Sequence, residues 1–115
     1  SIVTPAFDVA PFVADAIASA RAQQHARWEM VVVDDGSRDG TALAAERAAE
    51  GDPRIRLLRQ PNAGVSAARN AGIAAARGEA LLFLDADDWL ATDALARLTE
   101  SLAAAPAAVA AYGPW

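Results

Sequence analysis

Five carboxylates fall in two tight groups along the chain. Asp34 and Asp35 stand together in Asp34-Asp35-Gly36-Ser37, while Asp85, Asp87 and Asp88 crowd into four residues. Each group directly follows an apolar run, Met30-Val31-Val32-Val33 before the first and Leu81-Leu82-Phe83-Leu84 before the second. Gathering like charges has an electrostatic cost unless a cation joins them. Oxygen ligands suit hard cations such as Mg²⁺ or Mn²⁺, which take one or two carboxylates and fill their remaining positions with waters and substrate phosphates. The two groups do not carry equal weight. Asp-Asp-Gly-Ser is by itself a good turn, because Asp and Gly tolerate turn dihedrals and Asp and Ser cap helices. Three acids in four residues after a buried strand have no such ordinary explanation and point to a ligand.

A third segment, Asn62-Ala63-Gly64-Val65-Ser66, follows another strand-like run. Gly64 permits close backbone approach, Ser66 is a candidate helix cap, and a helix N-terminus at this point could meet a phosphate. The same residues would serve equally as an ordinary strand-to-helix connection. Arg69, one turn further on, could reach a diphosphate or pair with an acid on the same edge. Trp89, next to the acids, could line a sugar pocket or cover the core. Trp28 reads as packing, and the single histidine, His25, as solvated.

The elements that would position these groups alternate regularly. Strand-like runs cover 1–4, 29–33, 55–59, 80–84 and 108–112, with helical patterns over 11–22, 41–50, 66–76 and 93–104 between them. Phe12 and Ile17 are expected on the buried face of the first helix. Leu95, Leu98 and Leu102 recur at helical spacing in the last, with Thr92 as its expected cap and Asp93 in its first turn. The runs before the acids do not alternate, as suits parallel strands covered on both faces. The order βαβαβαβαβ predicts an α/β class: a Rossmann-like α/β/α sandwich with a mostly parallel sheet. In such a fold both acid groups emerge at the carboxyl edge, where ligands bind.

Composition narrows the field. The chain has 115 residues, enough for one domain with a modest core, and 54% of them are apolar, which excludes a disordered segment. No run of about 18 apolar residues occurs. Cysteine is absent, so disulfides and thiolate metal sites are excluded. Every basic residue is an arginine, and the formal net charge of −5 argues against a nucleic-acid partner. The opening residues 1–5 show no signal peptide and read as a strand whose beginning is cut off. The closing Tyr112-Gly113-Pro114-Trp115 follows directly on a strand-like run and reads as a C-terminal cut within a single domain covering 1–115.

Four motifs in order resemble family 2 glycosyltransferases with the GT-A fold, and they cover nearly the whole chain. These are Thr4-Pro5-Ala6-Phe7-Asp8; the run from Trp28 to Ser37 followed by Asp39-Gly40-Thr41; Asn62-Ala63-Gly64-Val65-Ser66-Ala67-Ala68-Arg69-Asn70-Ala71-Gly72; and Gly78-Glu79, a strand, then Asp85-Ala86-Asp87-Asp88, which is similar to the D-x-D signature. The resemblance implies that Pro5, Phe7 and Asp35, with Asp34 beside it, contact a nucleobase, usually uracil, and its ribose. It implies that Asn62, Gly64, Ser66 and Arg69 line the nucleotide pocket. Asp85 and Asp87 would hold the ribose and the donor's metal end, and Asp87 and Asp88 are the metal candidates, the choice between them left open. Mg²⁺ or Mn²⁺ would be the cofactor. The partners implied are a nucleotide-sugar donor, UDP-linked, and a saccharide or lipid-linked acceptor. The setting implied is cytoplasmic, including the cytoplasmic face of a membrane. Family members invert configuration in one displacement, with a carboxylate base.

Two departures stand out: Phe7 where Tyr is common, and Asp8 where Asn is common. The family's base and acceptor site belong to a later half, so the base is expected beyond Trp115, and no residue here receives the catalytic role. The chain as given is expected to transfer no sugar and to self-associate through the face that the later half would cover. Two other readings compete. A phosphoryl-accepting receiver domain has similar length and paired acids but depends on a lysine, which this chain lacks. A non-catalytic nucleotide-sugar-binding or interaction module of the same fold keeps the acids without the reaction.

Overall fold

The computed structural model describes residues 1–112. Four strands and four helices alternate: β1 (Ile2–Ala6), α1 (Val13–Arg21), β2 (Met30–Asp34), α2 (Thr41–Ala49), β3 (Ile55–Arg59), α3 (Val65–Ala75), β4 (Leu82–Phe83) and α4 (Ala94–Ala104). The strands form one parallel sheet in the order β3-β2-β1-β4. This is the α/β sandwich that the alternation predicts.

β1 and β2 are buried at every residue, because they lie inside the sheet with helices on both faces. Side chains alternate across a strand. Met30 and Val32 therefore join Ile2, Ala6 and the buried stripe of α1 (Val13, Ala16, Ile17, Ala20) in the larger core, with Ala45 of α2 and Leu95 of α4. Val31 and Val33 face the other way and pack with Ala68 of α3. Gly72 lets α3 lie this close, since a Cβ there would overlap Val3 Cγ1.

Five local expectations change. Phe12 is 52% exposed, whereas Ile17 is fully buried. Phe12 is the N-cap of α1, one step of about 100° before the buried stripe begins at Val13. Asp93, not Thr92, occupies the cap position of α4, with no side-chain capping bond; the Thr92 carbonyl instead accepts from the Gln24 N–H. The fourth strand shrinks from 80–84 to two residues, since it pairs on one side only, with Ile2 and Val3. Residues 108–112 form no strand; their apolar character is alanine-rich, and alanine buries too little area to hold an edge position. Trp28 is buried as expected, with the Arg54 guanidinium 3.9 Å from its ring centroid. His25 is half-buried, not fully solvated.

Candidate functional site at the carboxyl edge

The chain reverses its direction of travel across the sheet once. β1, β2 and β3 follow one another outward, and the crossover through α3 then returns to place β4 on the far side of β1. In parallel sheets such a reversal opens a crevice at the carboxyl ends of the strands. A cleft of about 470 Å³ lies there, lined by the end of β1 (Pro5, Ala6, Phe7, Val9), by Asp35, by Asn62, Gly64, Val65, Ala68 and Arg69, and by Asp85, Ala86 and Asp87. Three separate acid and loop segments of the sequence are thus one site.

Asp35 is the best-tied group in it. Its carboxylate is buried and accepts from Gln60 Nε2 at 2.8 Å, from the Ala63 and Gly64 N–H groups at 2.9 Å each, and from Asn62 Nδ2 at 3.3 Å. Asn62 Nδ2 also donates to the Asp35 carbonyl at 3.0 Å. The Gln60 hydrogen bond, helped by the two backbone donors, holds the Asp35 carboxyl below the usual range despite the opposing effect of burial. Both oxygens are already doubly engaged, so Asp35 acts on the cleft chiefly by fixing the Asn62–Gly64 turn. It also stands where an anion at the start of α3 would stand. Gly64 (φ 96°) is the N-cap of that helix. Ser66 lies inside the helix, exposed and outside the cleft.

Asp34 does not reach the cleft. It is the last residue of β2, and strand alternation turns its side chain to the face opposite Val33. There it is buried, accepts from the Ser37 N–H at 3.2 Å and lies 3.5 Å from Arg59 Nε. Its effect is on the turn: Gly36 (φ 75°) follows, and a side chain at Gly36 would strike the Asn62 backbone. Asp34 and Asp35 therefore do different work, which adjacency in the sequence conceals.

The acids after β4 sit on a short turn closed by the Asp88 N–H donating to the Asp85 carbonyl at 3.0 Å. Asp85, Asp87 and Asp88 are all exposed and each offers an oxygen within 4.8 Å of the others. Asp85 also accepts from Arg69 NH2 at 3.1 Å, so Arg69 takes the pairing with an acid. Three converging carboxylates that face solvent are a donor set suited to Mg²⁺ or Mn²⁺. Trp89 is 71% exposed and neither covers the core nor lines the cleft; Leu90 is the buried one.

Two residues behind the acids give no sign in the sequence. Ser19 Oγ accepts from the Leu90 N–H at 3.0 Å. Gln23 donates to the Ala91 carbonyl at 2.7 Å and accepts from the Leu95 N–H at 3.0 Å. The C-terminal end of α1 thereby anchors the segment that leads away from the acid turn. Gln60 is equally unforeseen; its only signal is a polar side chain at a strand end, beside Pro61-Asn62.

Comparison with known proteins gives the same picture. The family model described as glycosyl transferase family 2 matches residues 1–114. The chain is 42% identical over 100 residues to the uncharacterized glycosyltransferase EpsJ of Bacillus subtilis, covering 87% of this chain and 29% of EpsJ. It is 44% identical over 111 residues to the succinoglycan biosynthesis protein ExoO of Rhizobium meliloti, covering 96% and 31%. Among solved structures, Mannosyltransferase PcManGT from Pyrobaculum calidifontis, in complex with GDP-Man and Mn²⁺, superposes with a TM-score of 0.82 at 33% identity, covering 89% of this chain and 31% of that one. Staphylococcus aureus TarS residues 1–349, in complex with UDP, superposes with a TM-score of 0.82 at 23% identity, covering 90% and 31%, a likeness of fold. The chain thus spans about a third of the length of these relatives. The cleft, the motifs that build it and the family model agree: this chain belongs to glycosyl transferase family 2.

Proposed function

We propose that this chain is the donor-binding part of an inverting glycosyltransferase that moves a sugar from a UDP-sugar to an acceptor hydroxyl with the help of Mg²⁺ or Mn²⁺. The observation that carries the reading is that Asp85 and Asp87 line one cleft with Arg69, Asn62 and Gly64, and that Asp88 converges with those two acids at its margin. The complex of PcManGT with GDP-Man and Mn²⁺ supports a nucleotide-sugar donor and a divalent ion. Uridine is the base that the motif resemblance implies.

Each residue then has a task. Pro5 and Phe7 wall the base end of the cleft. Arg69 brings a positive charge to the diphosphate, while its bond to Asp85 keeps that charge in place. Asp87 and Asp88 would hold the cation, which would supply Lewis-acid neutralisation of charge at the diphosphate. A carboxylate base takes the proton of the acceptor hydroxyl. None of the acids lining the cleft is assigned the base's role; the family resemblance implies that the base and the acceptor surface belong to a later half of the domain. Orienting two reactants contributes about 7–11 kcal/mol when fully realised. This chain alone therefore transfers no sugar and at most hydrolyses the donor slowly.

Calorimetry of the chain with UDP and with GDP, each with and without Mn²⁺, tests the binding half. UDP binding that requires Mn²⁺ and is lost in the Asp87→Ala, Asp88→Ala double variant is the expected result. Metal-independent binding, or preference for GDP, would overturn the corresponding part. A transfer assay on the full-length protein tests the reaction, and nucleotide binding without transfer would favour the non-catalytic module.

A further inference from the structure

We propose that Asp8 is a positioning residue which, with Arg38, latches the loop after β1 to the loop after β2 and so fixes the Phe7 ring as a wall of the cleft. The inference rests on the reading of the cleft as a nucleotide site.

Asp8 is the one non-glycine residue with positive φ among the described residues, at 50°. Asp and Asn accept this left-handed conformation more readily than most side chains do. The reversal comes immediately after Phe7 and turns three successive N–H groups toward the loop after β2. Each finds a side-chain oxygen there or at the first residue of α2: Asp8 N–H donates to Ser37 Oγ at 3.0 Å, Val9 N–H to Thr41 Oγ1 at 2.9 Å, and Ala10 N–H to Asp39 Oδ2 at 3.2 Å. Asp39 is itself held by the Thr41 N–H at 2.9 Å and by the Thr41 hydroxyl. The return connection is made by Asp8, whose Oδ1 accepts from the Arg38 N–H at 2.8 Å and whose Oδ2 meets Arg38 NH2 at 3.1 Å. The backbone donor of Arg38 is the leading reason that the Asp8 carboxyl lies below its ordinary range.

The pairing has a consequence for the cleft. With its guanidinium held by Asp8, Arg38 lies 5.7 Å from the centroid of the Phe7 ring, within cation–π range. Phe7 lines the cleft, yet it is 42% exposed and no tyrosine hydroxyl tethers it. Arg38, whose own side chain is 81% exposed and held by Asp8, lies over that ring and biases its rotamer. An aspartate supplies what an asparagine at this position cannot, a charge that pins the guanidinium.

The test uses the full-length protein and two variants. Asp8→Gly keeps the left-handed backbone but removes both side-chain bonds; Asp8→Asn keeps the backbone and an acceptor for the Arg38 N–H but removes the charge. Two readouts are taken: the ¹⁹F resonance of fluorinated Phe7 in ligand-free protein, and the Kd for UDP in the presence of Mn²⁺. Asp8→Gly is expected to broaden or split the Phe7 resonance and to raise the Kd about tenfold, with Asp8→Asn between it and the wild type and Mn²⁺ binding alone unchanged. An unaltered Phe7 resonance in Asp8→Gly overturns the latch, as does a loss of UDP binding matched by an equal loss of Mn²⁺ binding. If the wild type binds no UDP, the nucleotide reading fails while the Phe7 resonance still decides the latch.

Discussion

Arg69 of α3 donates to Asp85 of the loop after β4 at 3.1 Å, closing one side of the cleft with an ion pair whose members are about half exposed. Such a pair contributes little to stability, about 1 kcal/mol or less, because water competes for both charges. Its value lies in where it leaves a cation. Arg69→Gln is therefore expected to shift the unfolding midpoint only slightly while weakening UDP binding with Mn²⁺ about tenfold, a loss of about 1.4 kcal/mol. Parallel thermal melts and calorimetry check this; a large loss of stability with intact binding would assign the pair a structural role.

Asp35→Ala should behave in the opposite way. The buried carboxylate satisfies two N–H groups of the exposed Asn62–Gly64 turn and two side-chain amides. Removing it leaves those donors without their protein partner, at a cost of about 1–2 kcal/mol because water reaches the exposed turn. Urea unfolding should show that loss, and nucleotide binding should fall with it as the Asn62–Gly64 turn loosens. Binding lost at undiminished stability would mean that Asp35 serves the ligand directly and not the turn.

Acid should unfold the domain in a defined window. The side-chain hydrogen bond from Arg54, supported by its N–H and by the charges of Arg54 and Arg21, holds the Asp52 carboxyl down at about 2. Burial pushes the Glu29 carboxyl up, but the Arg77 N–H, the Ser1 hydroxyl and Arg56 outweigh it and leave it at about 2 as well. Both pKa values are lowered on folding, so the stability they contribute is fully present above the unfolded values near 4 and is lost as pH falls toward about 2. Asp52→Asn should cost about 1 kcal/mol at neutral pH, discounted for its partly exposed arginines, and flatten the loss below pH 4. Thermal melts from pH 7 to pH 2.5 measure it, and an unchanged acid slope would contradict the assignment.

The outer edge of β4 is open among the described residues, and Phe83 within it and Leu81 just before it are 47% and 43% exposed. Unpaired strand groups with apolar neighbours invite pairing with another chain. The chain as given should self-associate with rising concentration, and Phe83→Lys should reduce this. Sedimentation that shows a monomer throughout would mean that two residues of edge are too short to recruit a partner.

Much of this protein is legible in one dimension, for a physical reason in each case. A strand buried on both faces needs an unbroken apolar run, so β1 and β2 announce themselves through Ile2, Val3 and the run Met30–Val33. A parallel sheet delivers its strand ends to one edge, so the acids after β2 and β4 emerge there together. The run 81–84, expected to be covered on both faces, nevertheless leaves Leu81 and Phe83 exposed because β4 lies at the sheet's edge. What sequence spacing does not carry is the direction of a side chain at a strand end and the partners it meets from distant segments. Asp34 and Asp35 are neighbours of one residue type, yet the pleat sends one beneath the turn and the other into the cleft. Gln60 reaches the Asp35 carboxylate 25 positions away, and Ser19 and Gln23 reach backbone groups 68 to 72 positions away, contacts that no local pattern encodes. The alanine-rich tail passes for a strand in composition but finds no neighbour to pair with over 108–112. Residue types and their period therefore determine which segments form the layers and which carboxylates share an edge. Packing alone decides which of those carboxylates face a ligand and which hold the loops in place, because a carboxylate's role is set by the donors that reach it, and those arrive only when the chain has folded.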